Sequence, residues 1–165
     1  MPNLNQITTT FMEYKLPPIG RIYIQDYDYS CGPCCILNIL NMKGLNGKYT
    51  EEEVIFFCGA NNAIGTTIEG IKQGLIATNL EIAEEKENAS IGDIQRHLAK
   101  KHFIIVNYFH RYSNVGHFGV VIDADKEGFY LVDSSQGLLR LDFGDFEQYW
   151  HSHDHTLMHH MIAVI

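Results

Sequence analysis

Positive charge is scarce in this chain of 165 residues: 12 Lys plus Arg stand against 20 Asp plus Glu, for a formal charge of −8 and a pI near 5.5. A broad phosphate-binding surface is excluded, and with it general nucleic-acid binding. Long apolar runs are missing too. Stretches such as 103–106 and 161–165 are far short of the roughly 20 residues that span a bilayer, so no membrane span is expected. The first residues lack a basic segment followed by an apolar one, so no secretory signal is expected, and the compartment implied is the cytoplasm, where thiols stay reduced. No proline follows Pro33, because all four prolines lie at or before it. There is no internal repeat, low-complexity tract or Pro/Ser-rich linker. What remains is a 45% hydrophobic, 19% charged chain, a globular composition long enough for one domain over 1–165, with an irregular arm over 1–20.

The apolar pattern predicts helices first and strands afterwards. Residues 33–42 read as a helix apolar nearly all round, and such a helix runs through a core. Pro33 suits its first turn and Gly44 its end. Thr50 and Glu53 have capping-box spacing before a short helix to residue 57. Thr66 or Thr67 caps a helix over 68–78, and Ser90 one over 91–101. Strands follow at 102–108, 117–122, 128–132, 138–141 and 158–165. Helices followed by strands close in sequence give an α+β fold with an antiparallel sheet.

The four cysteines, Cys31, Cys34, Cys35 and Cys58, are not expected as disulfide staples in a reducing compartment. Cys35 and Cys58 are embedded in apolar runs and read as small core residues. Cys31 follows the polar Tyr27-Asp28-Tyr29-Ser30 and sits at the start of a buried helix, where unpaired N–H groups and the helix dipole favour a thiolate. It is a candidate nucleophile. Cys31-Gly32-Pro33-Cys34 also spells a redox dithiol, as in thioredoxin-like proteins. Those proteins carry a later cis-proline facing the dithiol, and this chain has none to supply it.

A cysteine nucleophile needs a base and a group that orients the base. Residues 118–122 and 128–132 read as a hairpin around the polar turn 123–127. Pairing Ile122 with Gly128 places His117 opposite Asp133, so that imidazole and carboxylate meet. A register shift of one would bring Ser134 there instead. An oxyanion formed in acyl transfer needs placed donors. The backbone N–H of Cys31 is one, and Gln25, six residues upstream, can supply another.

Together these residues resemble the papain-like cysteine peptidases of the bacteriocin-processing, double-glycine leader peptidase family. The resemblance rests on Gln25 with Cys31-Gly32-Pro33, on Gly65-Thr66-Thr67 opening a helix, and on Gly116-His117-Phe118 opening a strand. Asp133, sixteen residues after His117, and the closing Phe146 and Trp150 complete it. It runs from about residue 22 to the C-terminus. Tyr29-Ser30 stands where the family usually has Asp or Glu-Asp, and Ser134 where it usually has proline. The resemblance implies a papain-like fold, with a central Cys-bearing helix in an N-terminal helical half packed on a C-terminal antiparallel sheet. It also implies Cys31 as nucleophile, His117 as base and acid, Asp133 as orienter and Gln25 as oxyanion donor. The expected reaction is cleavage of a peptide or amide bond in a peptide or protein substrate, through a thioester and without a cofactor. Acyl transfer to an amine, or peptide binding without turnover, are the alternatives on the same residues.

His151, His153, His155, His159 and His160 crowd the C-terminal region. Imidazoles bind Zn, Cu or Ni. The spacing lacks a carboxylate or thiolate partner of recognised pattern, so the region reads as a polar loop and no metal site is expected. Oligomeric state is left open.

Overall fold

A computed structural model describes residues 20–110 and 115–165. The arm expected over 1–20 lies outside the described residues except for Gly20. Three helices come first: α1 (Cys31–Met42), α2 (Glu51–Cys58) and α3 (Ile68–Ala77). Then follow β1 (Ile82–Lys86), α4 (Ile91–Ala99), β2 (Phe103–His110), β3 (Val115–Ala124), β4 (Gly128–Asp133), β5 (Gly137–Asp142), α5 (Phe143–Tyr149) and β6 (Met161–Val164). The strands form one six-stranded sheet in the order β1-β6-β2-β3-β4-β5, and every neighbouring pair is antiparallel. This is the α+β papain-like arrangement the sequence predicts.

Local chemistry explains the helix starts. Thr50 and Glu53 close a capping box on α2, as do Ser90 and Asp93 on α4. Thr67 caps α3 through the Gly70 N–H, while Thr66 turns away and donates to the Tyr29 carbonyl. Helix α1 begins two residues before Pro33, and its residues from Cys31 to Leu40 are all buried. A helix apolar on every side stays in water only at high cost, so packing surrounds it.

Side chains alternate across the sheet and feed two cores. Ile105, Phe118, Val120, Val132, Ile162 and Val164 pack with the apolar residues of α1, α2 and α3. Ile104, Val106, Val121, Leu131, Met161 and Ala163 pack with Ile94, Phe146 and Trp150.

Two elements depart from expectation. Strand β1 is absent from the sequence reading because Ile82-Ala83-Glu84-Glu85-Lys86 is charged; it lies on the sheet edge, where charged side chains are tolerated. Its carboxylates are used: Glu84 binds Arg96 and His97, and Glu85 binds Lys72 and His160. Helix α5, which carries the buried Phe146, was likewise not expected as a helix.

The hairpin register also differs. Gly119, not His117, lies opposite Asp133, and the pairing shifts between Val121 and Asp123. A bulge there consumes an extra residue on β3. The offset at Asp133 is two residues, which leaves His117 on the same face, because side chains repeat every second residue.

Candidate active site

Cys31 is the first residue of α1. The preceding Ser30 does not cap the helix with its side chain. Its Oγ lies 2.5 Å from Glu51 Oε1 and 2.7 Å from the Tyr27 carbonyl. The first helical bond runs from the Cys34 N–H to the Ser30 carbonyl at 2.9 Å, so the Cys31 N–H belongs to the unpaired first turn. Gly32 lets this turn approach α3: a Cβ there would stand 2.3 Å from Thr66 Cγ2.

His117 is buried on β3, opposite Tyr108 of β2. Its Nε2 lies 3.2 Å from Asp133 Oδ1, a diagonal contact across β3 and β4 rather than the direct pair expected. The Cys31 side chain acts on the same imidazole. Burial works against the imidazolium, but Asp133 and then Cys31 outweigh it, and His117 is pushed up to about 10. Cys31, His117 and Asp133 are therefore brought together from α1, β3 and β4.

Asp133 is fully buried at the end of β4. Its Oδ1 accepts from the Ser135 N–H and hydroxyl, both at 2.6 Å, and from the Gln136 N–H at 3.0 Å. Its Oδ2 accepts from the Tyr108 hydroxyl. Burial alone would raise its pKa, yet the His117 bond and charge, Ser135 and Tyr108 hold the carboxyl well below the usual range. The bonds that close the turn after β4 and the contact with His117 thus share one oxygen.

Gln25 is tied to the residue that follows Asp133. Its N–H donates to the Ser134 carbonyl at 2.9 Å, its Oε1 accepts from the Ser134 hydroxyl at 2.7 Å, and its Nε2 donates to the Tyr27 carbonyl at 2.8 Å.

Three contributors escaped the sequence reading. Tyr108 sits edge-on to His117, with ring centroids 5.6 Å apart at 83°. Gly119 gives it room, since a Cβ there would meet Tyr108 Cε1 and Leu131 Cδ2 at 3.1 Å. Glu51 is buried at the start of α2, where its carboxylate accepts from Ser30 and from the Asp26 N–H. Ser134 was weighed only as a register alternative. In-sequence signals for these are lacking, because their partners lie 25, 21 and 109 residues away.

Burial acts on the other thiols. It pushes Cys58 up to about 12, raises Cys35 well above the ordinary thiol range, and raises Cys34 together with the Glu51 carboxylate. In the histidine-rich loop His151 and His155 stack at 4.1 Å, and His153 N approaches Gly116, next to His117. Among the described residues no group of three or more His, Cys, Asp or Glu is placed to hold a metal ion, and no helix is long and apolar enough to cross a membrane.

The fold is that of the papain-like class. The family model described as the Peptidase C39 family matches residues 21–158, and the chain belongs to that family of cysteine peptidases. An uncharacterized protein of Methanothermobacter thermautotrophicus is 27% identical over 116 residues, covering 70% of this chain and 72% of that protein. The peptidase domain of Streptococcus ComA, a bifunctional ABC transporter of a quorum-sensing pathway, superposes with a TM-score of 0.67 at 18% identity, over 87% of this chain and 94% of that one. A double glycine motif protease from an AMS/PCAT transporter, in complex with its leader peptide, gives a TM-score of 0.60 at 15% identity, over 88% and 89%. At these identities the two structures speak for the fold alone.

Proposed function

We propose that this chain cleaves a peptide or amide bond through a Cys31–His117–Asp133 triad, with Gln25 and the Cys31 N–H as oxyanion donors. The observation that carries this reading is the buried imidazole of His117, acted on by the Cys31 side chain and joined through Nε2 to Asp133 at 3.2 Å. His117 takes the thiol proton, and the resulting imidazolium is held by Asp133. The Cys31 thiolate attacks the carbonyl carbon. The developing oxyanion is stabilised by the N–H at the uncapped start of α1 and by the Gln25 amide. His117 then protonates the leaving amine, and a thioester to Cys31 forms. Water, deprotonated by His117, releases the acid and restores the thiol.

The substrate class is a peptide or protein. The leader peptide bound to the AMS/PCAT transporter protease supports a peptide in the cleft. We read 1–165 as one papain-like domain acting in the cytoplasm.

The test is labelling with an acyloxymethyl ketone, a thiol-directed acyl electrophile, followed by cleavage of a peptide library, both read by mass spectrometry. Cys31 is expected to label far faster than Cys58, and Cys31→Ala to abolish cleavage. If Cys31 reacts no faster than Cys58 in the folded protein, the chain is a peptide-binding module and the peptidase reading fails. Adding a small amine separates hydrolysis from transfer, because a conjugate of acyl group and amine marks transfer.

A further inference from the structure

We propose that Ser134 is a positioning residue that fixes the Gln25 amide as a preorganised oxyanion donor. The inference rests on the peptidase reading above and adds to it the device by which Gln25 is held. Glutamine has three side-chain torsions to order, and a half-buried one held by nothing would lose much of its value as a donor. Gln25 is held at three points. Its backbone N–H is tied to the Ser134 carbonyl at 2.9 Å, which fastens the segment before α1 to the end of β4. Its Nε2 faces the Tyr27 carbonyl at 2.8 Å. Its Oε1 faces the Ser134 hydroxyl at 2.7 Å.

The chemistry of these partners sets the amide orientation. A carbonyl oxygen only accepts, so the nitrogen of Gln25 must face Tyr27 and the oxygen must face Ser134. The Ser134 hydroxyl, 1% exposed, is then the donor and holds the oxygen in place. One N–H is used on Tyr27, and the amide carries a second for the substrate. Ser134 directly follows Asp133, so one chain segment carries both the carboxylate behind His117 and the clamp on Gln25. Triad and oxyanion donor are thereby kept in register.

The experiment compares two reactions of Cys31 in the wild type, Ser134→Ala, Ser134→Thr and Gln25→Ala. One is hydrolysis of N-benzyloxycarbonylglycine p-nitrophenyl ester, which passes through an oxyanion. The other is alkylation of Cys31 by iodoacetamide, read by mass spectrometry; displacement at a saturated carbon forms no oxyanion. We expect Gln25→Ala to lower kcat by about 100-fold and Ser134→Ala by about tenfold, with KM little changed. Alkylation should stay within about twofold of wild type in both, which also shows that the fold and the Cys31–His117 pair are intact. Ser134→Thr, which keeps the hydroxyl, should recover most of kcat. A Ser134→Ala enzyme with wild-type kcat, while Gln25→Ala is impaired, overturns the Ser134 inference and leaves the peptidase reading standing. Equal losses in hydrolysis and alkylation overturn it as well, since they mark a merely structural residue. Gln25→Ala with wild-type kcat removes Gln25 from the oxyanion site and the Ser134 inference with it.

Discussion

Asp133→Asn separates the charge of the site from its geometry. All the groups around Asp133 Oδ1 donate: the Ser135 N–H and hydroxyl, the Gln136 N–H and His117 Nε2. The Ser135 and Gln136 N–H groups at Oδ1 can only donate, whereas Tyr108, at Oδ2, can turn its hydroxyl and accept instead. The asparagine NH2 will therefore face Tyr108, its oxygen will keep the turn and the His117 contact, and the negative charge alone is lost. In the wild type His117 is raised from its ordinary 6.5 to about 10, which favours the imidazolium by about 5 kcal/mol. Without the carboxylate, burial still lowers His117 and Cys31 still raises it, so its pKa must fall from the wild-type value. The assay is kcat/KM against pH with an ester or peptide substrate. The upper limb, which reports loss of the imidazolium acid, should lie near pH 10 in the wild type and move to lower pH in Asp133→Asn. The deficit of the variant should therefore widen as pH rises toward 10. Stability follows the same sign. A raised histidine stabilises the fold fully below pH 6.5 and loses that contribution as pH rises through about 10. The slope over that range should flatten in Asp133→Asn. Superimposable profiles for the two proteins would refute the ion pair.

Tyr108→Phe keeps the ring against His117 and removes the donor to Asp133; a hydrogen bond to a buried charge is worth about 1.5–3 kcal/mol, so a lower melting temperature is expected in thermal unfolding. Cys34→Ser should keep ester hydrolysis within about threefold of wild type, because burial and the Glu51 carboxylate hold the Cys34 thiol protonated at neutral pH. A loss as severe as that of Cys31→Ser would instead favour the dithiol. Gly32→Ala forces a methyl onto Thr66, whose hydroxyl is tied to the Tyr29 carbonyl and cannot easily yield. Overpacking of this kind costs about 1–3 kcal/mol, a fall of about 2–12 °C in melting temperature by calorimetry.

Much of the fold was legible because its signals are local. The all-round apolar helix, the Thr50–Glu53 capping box, the Ser90 cap and the strand-rich second half each follow from residues within one turn or one strand. The register of β3 on β4 was not legible, because the hairpin closes more tightly than expected, at Ala124 opposite Phe129, and the shift between Val121 and Asp123 then changes the offset from three residues to two. His117 and Asp133 were still placed on one face, since a two-residue error preserves the alternation. Strand β1 was hidden by its own charges, whose partners Arg96, Lys72 and His160 come from α4, α3 and the segment before β6. Through-space partners were invisible for the same reason. Glu51 looks like the other glutamates at the start of α2, and only the folded chain carries Ser30 to it.

The most informative part of the site is where turn chemistry and candidate catalytic chemistry coincide. Asp133 Oδ1 closes the β4–β5 turn through Ser135 and Gln136 and also faces His117. Alanine at this position would remove turn, charge and orienter together and could not tell them apart. The same economy runs through the neighbouring residue. Ser134 opens the β4–β5 turn next to Asp133 and holds Gln25, so a change that breaks this turn should disturb the oxyanion donor and the imidazole together. Asp133→Asn keeps this turn and removes a charge, and Ser134→Ala keeps it and removes a clamp, so their separate effects on kcat should multiply in the double variant. A double variant that departs from the product would mean that one of the two changes moves the shared turn and with it both triad and donor.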